Sequence, residues 1–225
     1  MHIQDAVVSR HSIRAFLPTP VDIETVRSVL TTAARAPSGG NLQPWHIDVL
    51  AGDALEGLKQ RMRARLAEGY DAGAEPAEYD VYPPSLRSPW RDRRFQVGEA
   101  MYARLGIPRE DRAARLRWFA RNYEFFGAPL ALFCTVDRSM GPPQWSDLGM
   151  YLQTVMLLLR GEGLDSCPQE CWARYPVTVR DVLKLPPERM LFCGMAIGHR
   201  DPEHSVNALV SDRAPTEEWL RFHGA

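Results

Sequence analysis

Apolar residues recur at helical spacing in some stretches of this chain, alternate in others, and lose their period in one long segment. Ile3, Ala6 and Val7, with Asp5 in the first turn, predict a short helix over residues 3–9. Asp22 stands where an N-cap belongs, with Val21 and Val26 in staple positions. Ile23, Val26, Leu30, Ala33 and Ala34 then form the apolar face of a second helix ending near Arg35. Trp45, Ile47 and Val49 alternate with His46, Asp48 and Leu50, which predicts a strand with one face committed to the core. Gly52-Asp53 turns the chain into a third helix marked by Leu55, Leu58, Met62 and Leu66.

From Tyr70 to Arg94 the periodicity dissolves. Tyr70, Tyr79, Tyr82 and Trp90 are interleaved with Pro76, Pro83, Pro84 and Pro89, first among acids and then among Arg87, Arg91, Arg93 and Arg94. A long aperiodic segment that keeps its aromatics reads as a functional excursion. Helices are expected near Phe95–Arg104 and Asp111–Phe125, still within that excursion. Residues 129–136 are apolar on both faces, as in a buried strand. Gly141-Pro142-Pro143 reads as a turn, and Ser146 or Asp147 as the cap of a helix through Leu159 that is apolar on nearly all sides. Val179, Val182 and Leu183 predict a short helix after Pro176, and residues 190–197 another apolar strand that leaves through Gly198–Asp201.

At 225 residues, 45% hydrophobic and 24% charged, the chain suits one large domain with a substantial core. A formal net charge of -1 gives no electrostatic reason to expect nucleic acid or an anionic membrane as partner. The longest apolar run, Val155–Leu159, is far too short to span a bilayer, and the first residues lack a basic and then apolar leader, so a cytoplasmic protein is expected. Cys134, Cys167, Cys171 and Cys193 lie in or beside apolar segments without C-x-x-C spacing. They read as small buried hydrophobes in a reducing compartment, with no metal site. His46 has no second ligand candidate nearby and reads as a structural histidine. No G-x-G-x-x-G, P-loop or Ser–His–Asp signature is present.

Two segments carry the candidate chemistry. In Ala36-Pro37-Ser38-Gly39-Gly40-Asn41-Leu42-Gln43-Pro44-Trp45, the proline and paired glycines stop the helix, and Ser38, Asn41 and Gln43 set hydroxyl and amide groups at the turn. Glycine also permits close approach of a ligand to the backbone. Upstream, Arg10-His11-Ser12-Ile13-Arg14 offers forked guanidinium donors that suit phosphate. Each taken alone is also an ordinary turn or a solvated basic loop.

Together and in this order, the two segments resemble the nitroreductase family of FMN-dependent oxidoreductases. The segment around Pro168 and Arg213 extend the resemblance over nearly the whole chain, and Gly163-Leu164-Asp165-Ser166-Cys167-Pro168-Gln169-Glu170 looks most like the nitrobenzoate-reductase-like branch. The resemblance implies an α+β fold with a central, mostly antiparallel sheet flanked by helices. It implies one FMN-binding domain over residues 1–225 in an intertwined homodimer, with FMN at each of two interfacial sites. Residues 70–126 would be the lid and specificity excursion, and 199–225 a C-terminal arm, carrying Trp219 and Phe222, that wraps around the partner.

The same resemblance assigns roles to residues. Arg10, Ser12 and Arg213 would grip the FMN phosphate, and Arg14 would lie near flavin N1 and O2. His11 stands where the family varies between His and Arg. Pro37, Ser38, Gly39 and Asn41 would reach the flavin of the other subunit. Pro168, Gln169, Glu170 and Cys171 would pass the isoalloxazine, with backbone groups meeting N5 and O4. Glu170 reads either as a general acid or as a structural carboxylate. Ser211 stands where a second basic residue is often found, a deficit for which Arg10 or Arg200 would compensate. The implied reaction is ping-pong: NADH or NADPH delivers hydride to N5, and a nitroaromatic, quinone or enone acceptor then takes two electrons. An enone or quinone reductase and a flavin-destroying enzyme that makes dimethylbenzimidazole stand as alternatives on the same fold. A flavin-binding protein without turnover is the alternative from a different class.

Overall fold

The computed structural model describes residues 1–67, 69 and 75–224; Tyr70, where the expected excursion begins, lies outside them. Helix α1 (Ile3–Ser9) is followed by α2 (Ile23–Ala33), whose N-cap Asp22 accepts hydrogen bonds from the N–H groups of Glu24 and Thr25. The chain continues through β1 (His46–Ala51), α3 (Gly52–Ala67), α4 (Trp90–Arg104), α5 (Arg112–Ala120) and β2 (Leu130–Asp137). It closes with α6 (Pro142–Gly161), β3 (Asp165–Gln169), α7 (Pro176–Leu183) and β4 (Arg189–Gly198). The four strands form one sheet in the order β1-β2-β4-β3, and every neighbouring pair is antiparallel.

Strand periodicity sorts the core into two layers. Along β2, Ala131 and Phe133 enter the cluster on one face of the sheet, while Leu130, Leu132, Cys134 and Val136 enter the cluster on the other. The first cluster is built from α3 (Leu55, Leu58, Met62), Ile13, Tyr123, Phe125, Phe126 and Trp172. The second is built from α2 (Val26, Val29, Ala33) and α6 (Leu148, Tyr151, Val155, Leu159). Helices therefore cover both faces of the central strands, and each fully buried large apolar side chain contributes about 1.5–3 kcal/mol of transfer free energy. A bulge opposite Cys134–Thr135 skips Phe192, so Met190 and Cys193 can both face the second cluster.

Several elements depart from the sequence expectation for identifiable reasons. Helix α6 starts at Pro142, not at Ser146 or Asp147; both prolines sit in its first turn, where a missing N–H leaves nothing unsatisfied. Asp147 is consequently inside the helix. Strand β1 does not commit one face to the core: Leu50 enters the first cluster, Trp45 and Ile47 pack on the second, and Val49 is 41% exposed. It is an edge strand flanked by helices on both sides, which blurs the alternation. Strand β3 carries little apolar signal and a proline; as the opposite edge it tolerates Pro168, which has no N–H to donate. Helix α4 begins at Trp90 rather than near Phe95. After α5, a 3-10 turn at Arg121–Gly127 holds Phe125 and Phe126 at positive φ (51° and 54°), with both rings buried.

The described start of the excursion is tied down. The Glu75 carboxylate accepts from the N–H groups of Val177 and Thr178 in the first turn of α7 and from the Thr178 hydroxyl. Glu78 pairs with Arg138, and the Tyr79 hydroxyl donates to the carbonyl of Phe192. Among the described residues, no helix is long and apolar enough to cross a membrane.

Candidate cofactor-binding site

The segment after α1 runs beside β3. Ser12 forms a parallel bridge with Ser166, and the Ile13 N–H donates to the Ser166 carbonyl at 3.1 Å. Ile13 and Ala15 are buried, so two-residue alternation leaves Arg10, Ser12 and Arg14 on the less buried side. This is the structural meaning of the R-x-S-x-R spacing. The Arg14 N–H donates to Asn207 Oδ1 at 2.9 Å, and its Nη1 donates to the Ser12 carbonyl at 3.3 Å. The Arg10 guanidinium makes no hydrogen bond or ion pair among the described residues.

The same strand brings Pro168–Cys171 alongside. Burial raises the pKa of the Cys167 thiol, and the nearby guanidiniums of Arg14 and Arg10 partly oppose that shift, which sets both cations close to this segment. Gln169 is buried and its Nε2 donates to the Asn122 carbonyl at 2.7 Å, while its Oε1 lacks a partner among the described residues. Glu170 is exposed as a residue, yet desolvation of its carboxyl raises its pKa. Burial likewise pushes the Cys171 thiol up, so it is not a reactive thiolate.

Beneath this segment lies a buried ionic group that the sequence did not announce. Asp165, 2% exposed, accepts from Arg160 Nη1 at 2.9 Å and from Arg200 Nε and Nη2 at 2.7 and 2.6 Å. Arg200 is thus engaged in a bidentate pair, and the expectation that it compensates for Ser211 is corrected. His11 packs against the same group; desolvation, then Arg200 and Arg10, lower its pKa and favour a neutral imidazole. Arg213 lies on the exposed tail, where its Nη1 donates to the carbonyl and hydroxyl of Ser211 at 2.9 and 2.8 Å. Ser211 therefore orients Arg213 instead of adding a charge.

The glycine loop is built separately. The Ser38 hydroxyl accepts from the Gln43 N–H at 3.0 Å around the 3-10 turn Gly39–Asn41, with Gly40, Asn41 and Gln43 all at positive φ. A Cβ placed on Gly39 or Gly40 would meet nothing within 4 Å, so this backbone is open to a ligand. The Gly39 N–H donates to both carboxylate oxygens of Asp147, each at 3.3 Å, and Asp147 is 4% exposed. Sequence reasoning took Asp147 only as a helix cap, because its partner is distant in sequence.

Helix α6 measures the gap between the two segments. Gly39 is tied to Asp147 near its start, whereas Ser9, next to Arg10, receives a bond from Arg160 Nε near its end. The helix rise between Asp147 and Arg160 is about 20 Å at about 1.5 Å per residue. One chain thus joins Arg10, Ser12 and Arg14 to Pro168–Cys171, and holds Pro37, Ser38, Gly39 and Asn41 well away from them. The free guanidinium of Arg10 and the Ser12 hydroxyl form a donor set that fits a phosphate, and the open glycine backbone at the other end of α6 offers a surface of its own to a planar ligand.

A family model described as the nitroreductase family matches residues 7–199. The chain is 37% identical to a 4-nitrobenzoate reductase from Pseudomonas putida, over 98% of this chain and 95% of that protein. It is 36% identical to a nitrobenzene nitroreductase from Ectopseudomonas oleovorans, over 98% and 96% of the two chains. Among solved structures, the FMN and NADPH-dependent nitroreductase NfnB from Sphigopyxis sp. strain HMH superposes with a TM-score of 0.96 at 48% identity, covering 100% of both chains.

Proposed function

This chain belongs to the nitroreductase family, and we propose that it is an FMN-dependent, NAD(P)H-driven reductase of nitroaromatic acceptors, acting as a cytoplasmic homodimer. The observation that carries this is the packing of Arg10, Ser12 and Arg14 along β3 beside Pro168–Cys171, in a chain similar throughout to nitro-reducing enzymes. When bound, FMN would supply the two-electron chemistry between the nicotinamide donor and the acceptor. Binding, orientation and fixed charge fall to the protein.

Arg10, Ser12 and Arg213 hold the phosphate, and charge-assisted hydrogen bonds of about 1.5–3 kcal/mol each retain it without a covalent link. Ser211 aims Arg213. Arg14 would set a positive charge beside the pyrimidine edge of the flavin and stabilise its reduced form. His11, kept neutral, adds no competing charge. Pro168, Gln169, Glu170 and Cys171 line the edge bearing N5 and O4 with backbone groups. Protons for the acceptor come from solvent, so no dedicated protein acid is required.

The partner subunit's Pro37, Ser38, Gly39 and Asn41 complete each site. The anchoring of the two segments near opposite ends of α6 favours this division of labour. The C-terminal arm, with Trp219 and Phe222 exposed, would lie on the partner, and an apolar groove between α2 and β1, lined by Ile23, Val26, Leu30, Trp45 and Ile47, supplies surface for association. The segment 70–126 covers the pocket and sets acceptor choice.

The test is an absorbance spectrum of the purified protein, followed by anaerobic NADPH or NADH and then nitrobenzoate. A yellow protein that bleaches with the nicotinamide and recovers with the nitro compound is expected. A protein that takes up no FMN would overturn the proposal.

A further inference from the structure

Asn207 lies in a 3-10 turn, Ser205–Ala208, within the segment 199–225 that the sequence suggested as an arm on the partner; this part of it packs on its own chain instead. It is 7% exposed, and its amide is fully oriented by its surroundings. Oδ1 accepts from the Arg14 N–H at 2.9 Å, while Nδ2 donates to the Ala15 carbonyl at 2.8 Å and to the Asp201 carbonyl at 2.9 Å. Two carbonyls against one N–H leave a single workable amide orientation, since a flipped amide would set its oxygen against both carbonyls.

The peptide that Asn207 grips is that of Arg14 itself. Ile13 spends its N–H on Ser166 of β3, so by two-residue alternation the Arg14 N–H faces away from the sheet and needs another acceptor. Asn207 is that acceptor. Among the described residues the Arg14 guanidinium has one hydrogen bond of its own, at 3.3 Å to Ser12, so its position follows the backbone that carries it. The turn is held independently from its other side, where the Ser205 hydroxyl donates to the Arg104 carbonyl at the end of α4 at 2.7 Å.

We propose that Asn207 is a positioning residue for Arg14, fixing the distance between that guanidinium and the pyrimidine edge of bound flavin and so tuning the flavin's midpoint potential. The inference rests on the reading that Arg14 lies beside the flavin. Loss of the tether lets the cation withdraw, and two-electron reduction of the bound cofactor becomes less favourable.

The experiment measures midpoint potentials of FMN-loaded wild type, Arg14→Ala, Asn207→Ala, Asn207→Ser and Ser205→Ala by anaerobic reductive titration against a reference dye. Asn207→Ser remains polar but is one atom too short to reach Arg14, and serves if the alanine variant folds poorly. Both Asn207 variants are expected to lower the equilibrium constant for reduction about tenfold, a potential about 30 mV more negative. Arg14→Ala should move it further in the same direction, and Ser205→Ala should not move it. In a double-mutant cycle on FMN affinity, Asn207→Ala should add little once Arg14 is alanine. A potential that moves with Arg14→Ala but not with either Asn207 variant overturns the positioning role and leaves the flavin reading intact. An equal shift from Ser205→Ala overturns it too, because loosening of the turn would then be the cause. No shift from Arg14→Ala means that Arg14 is not beside the flavin, and both readings fail together.

Discussion

Replacing Asp165 with asparagine probes the buried ionic group directly. The carboxylate is 2% exposed and pairs with two guanidiniums, taking one bond from Arg160 and two from Arg200. The amide keeps the shape but removes the charge and turns one acceptor into a donor facing an arginine. Breaking a buried pair by neutralising one partner costs about 3–5 kcal/mol, since the remaining charges stay desolvated. Arg200 is 30% exposed at its side chain and can recover some hydration, and Arg160 at 14% recovers less, so the lower end applies. About 3 kcal/mol in a chain of this size corresponds to a fall in Tm of about 6–12 °C. Chemical denaturation of the FMN-free protein measures the cost without a contribution from bound cofactor. A loss below about 1 kcal/mol, the range of exposed ion pairs, would mean that water reaches the carboxylate and would refute the reasoning.

Other changes test other parts of the molecule. A Cβ on Gly194 would lie 2.5 Å from Trp172 Cδ1 in a closed core, so Gly194→Ala should destabilise by about 1–3 kcal/mol in a urea titration. Arg213→Ala removes a charge-assisted contact to the proposed phosphate and should weaken FMN binding by at least about tenfold in a fluorescence titration; an unchanged Kd removes Arg213 from the site. Mixed dimers with Asn41→Leu in one chain and Arg213→Ala in the other should keep one intact flavin site, whereas sites built within single chains would leave none. His11 has a lowered pKa in the fold, so between that value and the ordinary 6.5 the unfolded chain binds more protons. Its contribution to stability is complete above about pH 6.5 and declines as the pH falls below it. Tm should therefore drop less between about pH 7.5 and about pH 5.5 in His11→Gln than in the wild type.

What the sequence disclosed depended on the range of the interaction. Helices α1, α2, α3 and α7 and strands β2 and β4 were legible because each depends on its own spacing and caps, as with Asp22 at the start of α2. Strand β3 was not, because its partners are backbone groups of β4 and Ser12, and its proline is tolerable only at an edge that topology alone defines. The start of α6 was missed through a local rule applied one turn too late: paired prolines can open a helix as well as end a turn. In the candidate site, Arg10, Ser12, Arg14 and Pro168 were visible as a resemblance. Their supports were not, since Asn207 stands 193 residues from Arg14 and Asp147 stands 108 from Gly39. No local pattern marks an asparagine or aspartate whose partner is a distant backbone N–H.

Those supports bear on the proposal that each site draws on two chains. Asp147 and Arg160 belong to one rigid helix and hold the glycine loop and the arginine segment at its opposite ends. No side-chain motion closes about 20 Å of helix, and bending α6 would break the layer formed by Leu148, Tyr151, Val155 and Leu159. On the proposed reading, a flavin in contact with both segments would take one from each of two copies. FMN should then be lost on dilution into monomers, which size-exclusion chromatography with detection at the flavin absorbance would check.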